Sequence, residues 1–221
     1  MRTTVTLIFI VLANLVFAND PNSASKLNTA AKASYLSPLE KEIILEINLF
    51  RSDPAKYAEN YIAPLARNYQ RNILYYPNDT PIMTHEGVIA LHECVRELKK
   101  TTPKPILYPS EALSNAAADH CNDQSKTGRT GHVGNDNSNV KTRIERYGKW
   151  KVRIAENIAY GNTSARQVVI FLLIDDNVKN RGHRINLLHP DFKLVGVSTG
   201  THPEYSTMCV MDFAGGMAEK D

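Results

Sequence analysis

Three stretches of this 221-residue chain decide its fold: GHVG at 131–134, AENIAYG at 155–161 and RGHRINLLHP at 181–190. They place His132, Glu156 and His183 among turn-forming glycines and between apolar runs. Imidazole and carboxylate groups together form a general acid/base pair or a metal site. The three residues are therefore the candidate catalytic residues, and the two histidines are the candidate metal ligands. Each histidine also has a plain interpretation, as an exposed loop residue or as a helix cap.

Glu156 is the most informative of the three because it lies in the apolar run Ile154-Ala155-Glu156-Asn157-Ile158. Burying a charge is costly unless the charge is paired. We therefore expect its carboxylate to meet a histidine or a cluster of backbone N–H groups. The same pairing would serve either a functional site or a structural brace. Asn157 beside it is a supporting group, since its amide can brace the following turn.

Two adjacent carboxylates, Asp175 and Asp176, directly follow the apolar residues 172–174. At the C-terminal end of a helix they oppose the helix dipole. Their position is tolerated if they are solvated, or if a cation such as Arg181 lies near, and either one could pair with His183. We include both aspartates, with Asn157, as supporting groups of the candidate cleft.

His120 follows Asp119 on a predicted helix and lies three residues before Asp123, so the two side chains could pair. The stronger enzyme signatures are missing from the sequence: there is no GxSxG elbow, HExxH pair, P-loop or GxGxxG turn. No serine or cysteine lies in a recognisable nucleophile motif. These absences favour binding over catalysis.

The two ends of the chain have the composition of segments outside a domain. Arg2, the apolar run 7–16 and small residues before position 19 predict a signal peptide at residues 1–18. The alternative is a transmembrane anchor, but the run is shorter than the roughly 20 residues that a span needs. We therefore expect a secreted, extracellular protein without a transmembrane anchor. Residues 19–36 are predicted to be a flexible leader and residues 216–221 a tail.

Charge and cysteine content exclude several classes of protein. The formal net charge is +3, from 26 Lys+Arg and 23 Asp+Glu. After removal of the predicted signal peptide, which contains Arg2, 25 Lys+Arg (26 − 1) stand against 23 Asp+Glu. This excess of positive charge is too small to indicate a nucleic-acid partner. Three scattered cysteines, Cys94, Cys121 and Cys209, allow at most one disulfide and no disulfide scaffold. Cys209 lies in an apolar run and is expected to pack as a small hydrophobe.

Hydrophobic periodicity predicts helices in the first part of the chain and strands in the last. Ser37-Pro38-Leu39-Glu40 is a capping box, and further helices are expected over 86–99, after Ser110 and after Ser164. Residues 195–199 and 205–213 are rich in β-formers around a turn, which indicates a hairpin. The fold class is therefore α+β. Periodicity does not give the strand order.

The three motifs, in this order, resemble those of the CAP superfamily, which includes cysteine-rich secretory proteins, antigen 5 and pathogenesis-related 1 proteins. The form of the domain seen in bacteria and protists is the most similar. The resemblance covers Ser37 to Gly215 and implies a three-layer α-β-α sandwich. It makes His132 and His183 the cleft histidines and Glu156 the cleft glutamate. The family's second glutamate has no counterpart in residues 172–176, so an aspartate substitutes for it or the tetrad is incomplete.

The resemblance also implies a choice of functions. Our first hypothesis is a secreted binding module for a lipid or sterol, a divalent metal or a protein partner. Zinc or another divalent cation would be bound weakly by His132 and His183, because two imidazoles leave positions that water can fill. The alternatives are a metal-assisted hydrolase that uses Glu156 with the cleft histidines, and a purely structural extracellular domain.

Overall fold

Residues 25–218 are the part of the chain that the computed structural model describes, so the predicted signal peptide at residues 1–18 lies outside the described residues. The α-helices that begin and end within that range are α1 Pro38–Ser52, α2 Pro54–Tyr57, α3 Val88–Leu98, α4 Glu111–Thr127, α5 Val140–Ile144, α6 Ala165–Ile174 and α7 Gly182–Leu188. A π-helical turn and a 3₁₀ segment follow α2, at Ala58–Ile62 and Ala63–Asn68.

Serine side chains begin three of these helices, as the sequence predicts. The Ser37 hydroxyl accepts from the Glu40 N–H while the Glu40 carboxylate accepts from the Ser37 N–H, which completes the capping box. Ser110 and Ser164 cap α4 and α6 by accepting a backbone N–H three residues ahead. Each cap satisfies a donor that the first helical turn leaves unpaired.

The strands of the described residues form two sheets. The small antiparallel sheet contains β1 Tyr69–Gln70, β2 Ile73–Leu74 and β3 Ile82–Met83. The main sheet contains β4 Tyr108–Pro109, β5 Lys149–Tyr160, β6 Leu194–His202 and β7 Ser206–Ala218. The main sheet has the order β4-β6-β7-β5, with β4 parallel to β6 and the other pairs antiparallel. The predicted hairpin of two late strands is therefore β6 with β7. Strand β5 lies at an edge of the sheet, where residues from α4 to α7 can reach it.

Alternating residues of β7 divide the interior into two cores. Met211 and Phe213 pack with buried residues of α1, α3 and α6. Val210 and Ala214, on the opposite face, pack against the layer that contains α4. A sheet covered by helices on both faces is the α+β, three-layer α-β-α arrangement that the sequence predicts.

The leader is ordered over part of the length that the sequence assigns to it. Ala30 and Leu36 are buried in the main core, and the Asn48 side-chain amide donates to the Leu27 carbonyl oxygen at 3.0 Å. The expectation of flexibility over residues 19–36 therefore does not hold from Leu27 onward. Polar composition suggested a solvated segment, but two apolar side chains and its backbone carbonyls are enough to fix it on α1.

The predicted tail is also partly structured. Strand β7 continues to Ala218 and pairs with the start of β5, with Gly216 opposite Lys151 and Ala218 opposite Lys149. The boundary at residue 215 is therefore too early by the three residues that extend the ladder.

All three cysteines are free thiols and are buried, Cys209 in the main core as the sequence predicts. Within residues 25–218 we find no helix of the length and apolarity that crossing a membrane requires.

Candidate functional site

The first element of the candidate site is a pair formed by His132 and Glu156. His132 lies in the loop between α4 and α5, and its Nδ1 is 2.8 Å from Oε1 of Glu156 on strand β5. The Glu156 side chain is 1% exposed, whereas the His132 side chain is 54% exposed. The strand thus holds a buried carboxylate beneath an imidazole that solvent can reach.

Arg143 on α5 is the second partner of Glu156. Its Nη2 donates to Glu156 Oε2 at 2.7 Å and to the His132 carbonyl oxygen at 3.2 Å. The arginine is as buried as the glutamate. It therefore compensates the buried charge and anchors the backbone of the histidine loop. Arg143 was not among the residues predicted from the sequence. The cost of burying the Glu156 charge was the signal that a partner such as Arg143 is needed.

Opposing influences set the protonation of Glu156. Burial raises the pKa of its carboxyl, but the hydrogen bond from His132 and the charge of Arg143 outweigh burial and hold the pKa below its usual range. Glu156 is therefore ionised at neutral pH. Its oxygens accept hydrogen bonds from both partners, so the His132 ring carries its proton on Nδ1.

Asp212 lies opposite Glu156 in the β5–β7 ladder and is 0% exposed. Within residues 25–218, no donor lies at hydrogen-bond distance from either carboxyl oxygen of Asp212. Burial and the charge of Glu156 raise the pKa of Asp212 well above its usual range. These surroundings therefore favour the protonated form of Asp212, which can donate a hydrogen bond to Glu156.

The second element of the site is a pair formed by His183 and Asp175. Asp175 ends α6 in the left-handed conformation, with φ 56°, and its Oδ1 is 2.6 Å from His183 Nδ1. Its Oδ2 accepts the backbone N–H of His183 at 2.9 Å, which places a negative charge at the N-terminus of α7. The aspartate is 2% exposed and the histidine 24%. Asp175 thus pairs with His183 in the way that Glu156 pairs with His132.

Two asparagines connect the second pair to the strand that carries the first. The Asn157 amide donates to the His183 carbonyl oxygen at 3.0 Å, and the Asn186 amide donates to Asn157 Oδ1 at 2.9 Å. The Asn186 amide also lies 3.5 Å from the Glu156 carbonyl oxygen. Helix α7, which carries His183, is therefore fixed beside the same residues of β5 that hold Glu156.

Asp176 joins neither pair, contrary to its predicted place as a supporting cleft residue. Its carboxylate accepts the backbone N–H groups of His85 at 2.6 Å and Glu86 at 2.8 Å. It therefore braces the segment that precedes α3. Because the backbone turns at Asp175, the side chains of Asp175 and Asp176 point in different directions. The sequence alone does not specify this turn.

The His120–Asp123 pair that helical spacing would allow is not formed, and both side chains make other contacts. The loop after α4 folds back on the helix, so that His120 Nε2 meets the Gly131 carbonyl oxygen at 2.8 Å. Asp123 instead accepts the Asn135 N–H at 2.8 Å. The helical spacing was correct, but both side chains are used to hold the loop.

Arg184 is a further residue that sequence reasoning missed. It is fully buried, donates from Nη2 to the Ile174 carbonyl oxygen at 3.0 Å, and forms ion pairs with Glu93 and Glu97 of α3. It therefore fixes α7 against α3 and α6 and, with Asp175, sets the position of His183.

The arrangement is suited to holding an electrophile or a cation at the imidazoles. Each ring directs Nδ1 to a carboxylate, and the other ring nitrogen, Nε2, is then the one with a free lone pair. Within residues 25–218, no group of three or more His, Cys, Asp or Glu side chains is arranged to hold a metal ion.

The fold and the site define a class of protein. The model of the CAP family, described as the cysteine-rich secretory protein family, matches residues 47–213, more than half of the chain. The protein belongs to this family.

Solved structures give a weaker likeness. An extracellular protein containing an SCP domain from Bacillus anthracis is 21% identical, with a TM-score of 0.41, over 50% of this chain and 34% of its own. This chain thus spans about a third of the length of that protein. An outer surface protein of Borrelia burgdorferi is 16% identical, with a TM-score of 0.42, over 62% of this chain and 100% of its own. No curated protein sequence matches significantly.

Proposed function

We propose that this protein is a secreted CAP-domain binding module whose His132 and His183 imidazoles bind a divalent cation, zinc, weakly and exchangeably. The observation that carries the proposal is the pairing of each Nδ1 with a buried carboxylate, Glu156 in one case and Asp175 in the other. Metal-binding histidines commonly donate their second ring N–H to a carboxylate, which fixes the tautomer and makes the free nitrogen a better ligand.

The number of ligands argues for weak binding. Structural zinc sites have four protein ligands, whereas open sites keep positions for water. Two imidazoles leave at least two such positions. Glu156 and Asp175 act from behind the rings, since each carboxylate is already bonded to Nδ1. Zinc would therefore exchange readily with solvent.

Calorimetric titration with zinc chloride at neutral pH tests the proposal. The wild type should bind one equivalent, and the double variant His132→Ala, His183→Ala should lose that binding. His92→Ala removes an exposed histidine of α3 and is the matched control. Unchanged zinc affinity in the double variant would overturn the proposal.

An apolar partner is the second candidate, supported by two exposed side chains next to the histidines. Val133 is 58% exposed and Ile185 is 51% exposed. A lipid, a sterol or an apolar segment of a protein partner would cover them. Mass spectrometry of lipids that co-purify with the wild type, compared with Val133→Ser, Ile185→Ser, tests this. Equal lipid content in both would exclude these side chains as the contact.

A metal-assisted hydrolase remains the alternative for the same histidines. A carboxylate-oriented imidazole is the arrangement of a general base, and both pairs have it. Hydrolysis of a panel of ester and peptide substrates with and without zinc tests this activity. Wild-type rates that match those of Glu156→Gln would exclude it.

A further inference from the structure

A polar cavity lies next to the Glu156 site, with which it shares Arg143. It has a volume of about 170 Å³ and is bounded by α4, the loop at 134–138 and the region of α5. We call it the α4–α5 cavity. It is lined by His120, Arg143 and a rim of Asp119, Asp123, Asn135, Asp136, Ser138 and Arg146. Arg143 is the residue that it shares with the Glu156 site.

The hydrogen bonds around His120 fix its tautomer. The Gly131 N–H donates to the Tyr160 hydroxyl, which in turn donates to Gln124 Oε1 at 2.8 Å. The Gln124 amide therefore directs its N–H₂ group towards the Gly131 carbonyl oxygen, at 2.6 Å. That same carbonyl lies 2.8 Å from His120 Nε2, and the Gln124 amide nitrogen lies 3.0 Å from Nε2, so both nitrogens converge on one carbonyl oxygen. Because a carbonyl only accepts, Nε2 carries the proton.

His120 Nδ1 is consequently a bare acceptor. Burial lowers the pKa of His120, so the ring is neutral at neutral pH. The residue is 0% exposed, and its Nδ1 has no hydrogen-bond partner within residues 25–218. A buried acceptor left unpaired is unfavourable. A ligand in the cavity that His120 lines would supply the missing donor.

Arg143 presents the complementary orphan group. Its Nη1 and Nη2 atoms are used by Ser138, His132 and Glu156. Its Nε–H is buried and also lacks a partner among the described residues. The cavity thus has a buried acceptor on one lining residue and a buried donor on another.

We propose that the α4–α5 cavity binds a small polyhydroxylated molecule, a monosaccharide or polyol, through a hydroxyl that donates to His120 Nδ1 and accepts from Arg143 Nε. A hydroxyl is both a donor and an acceptor. A carboxylate or phosphate dianion cannot donate to Nδ1, and an ammonium ion cannot accept from Nε. Of a hydroxyl, a carboxylate, a phosphate dianion and an ammonium ion, only the hydroxyl satisfies both atoms.

The rim fits further hydroxyl groups. Asp119, Asp123 and Asp136 offer acceptors, while Arg146 and the Asn135 amide offer donors. Several of these groups already bond to each other, as Arg146 does with Asp119 and Asp136, which holds the rim in place. The cavity also exceeds the roughly 30 Å³ that one water occupies in the liquid. A single bridging water would therefore leave most of it unfilled.

An NMR titration tests the proposal on the full folded domain. The probes are D-glucose, N-acetyl-D-glucosamine and myo-inositol, with sodium acetate and guanidinium chloride as charged comparisons. At least one polyol should shift the backbone amides of Asn135 and Ser138 in a saturable way. Acetate and guanidinium should not. No saturable shift from any polyol, or equal binding of a charged probe, would show a cavity filled by solvent or ions only and would overturn the proposal.

Two variants make the test specific. His120→Leu removes the acceptor and should weaken binding by about tenfold. Since this buried substitution can impair folding, Asn135→Tyr at the exposed rim narrows the cavity while keeping the backbone N–H bond to Asp123, and it should weaken binding similarly. His92→Ala on α3 is the control. Wild-type polyol affinity in a folded His120→Leu or in Asn135→Tyr would also overturn the proposal. Zinc binding by Asn135→Tyr should be unchanged, which separates this site from the histidines.

Discussion

Glu156 and Asp212 stand opposite each other on neighbouring strands, and their surroundings shift the pKa values of the two carboxyls in opposite directions. The pKa of Glu156 is lowered because His132 and Arg143 donate hydrogen bonds to it. Asp212 is fully buried without such a donor, so its pKa is raised by burial and by the charge of Glu156. The surroundings therefore favour the ionised form of Glu156 and the protonated form of Asp212.

Replacing Asp212 with Asn should change how stability depends on pH. A carboxyl whose pKa is raised on folding stabilises the protein fully below its unfolded pKa, ordinarily 3.8. That contribution is lost as the pH rises towards the folded pKa. The amide side chain of the variant Asp212→Asn resembles the protonated carboxyl and does not titrate, so the variant does not lose stability in this way as the pH rises. The melting temperature of the variant, relative to that of the wild type, should therefore increase as the pH rises above the unfolded pKa of 3.8.

Thermal melts of both proteins at a series of pH values check this expectation. Ser198→Ala, on the neighbouring strand β6, is a control that leaves the titration of Asp212 in place. A constant difference in melting temperature between Asp212→Asn and the wild type would show that Asp212 does not take up a proton on folding.

Glu156→Gln should destabilise the domain and weaken zinc binding together. The amide keeps the shape but removes the charge that compensates Arg143, and a buried partner left unsatisfied costs about 1–3 kcal/mol. The His132 ring also loses the carboxylate that fixes its tautomer. Thermal melts and zinc calorimetry on the same samples measure the two effects. A lower melting temperature with wild-type zinc affinity would make Glu156 a structural brace alone.

The sequence predicted the parts of the fold that depend on local chemistry. The serine caps, the hairpin of β6 and β7 and the need of Glu156 for a partner all follow from neighbouring residues or from the cost of burying a charge. The identity of that second partner, Arg143, depends on how α5 docks on the sheet. No local pattern encodes that docking.

Helix α7 shows why part of the site was not predicted. Its N-cap, Arg181, has a left-handed backbone and forms no side-chain cap, so the usual start signal is missing. The helix is held instead by Asp175 at its N-terminus and by the ion pair of its own Arg184 with Glu93 of α3. These contacts join residues from three elements, and they also decide which of the two adjacent aspartates meets His183.

Acid should loosen the contact between Arg181 and the segment before α3. The hydrogen bond from Arg181 is the main cause that lowers the pKa of Glu86 from 4.5 to about 2. A lowered pKa contributes stability above the unfolded value and loses it as the pH falls through the folded value. The loss therefore falls between about pH 4.5 and about pH 2, and Glu86→Gln should abolish this component.

Urea unfolding at several acidic pH values measures the difference between Glu86→Gln and the wild type. The Arg181 side chain is mostly buried and Glu86 is partly exposed, so we expect a small effect, within the about 0–1 kcal/mol of exposed pairs. Glu59→Gln removes another surface carboxylate that pairs with a lysine and is the control. If the free energy of unfolding falls equally with acid in both variants and in the wild type, the Glu86–Arg181 contact does not contribute the expected pH dependence.

The adjacent aspartates provide a matched test of the second histidine pair. Asp175→Asn removes the charge that holds His183 Nδ1 and the N-terminus of α7, so zinc affinity should fall by about tenfold and the domain should be destabilised. Asp176→Asn replaces one of the two carboxylate oxygens that accept the N–H groups of residues 85 and 86 with an NH₂ donor. It should lower stability while leaving zinc affinity unchanged. Calorimetry and thermal melts on both variants distinguish the two roles, and equal zinc affinities would show that His183 does not depend on Asp175 for metal binding.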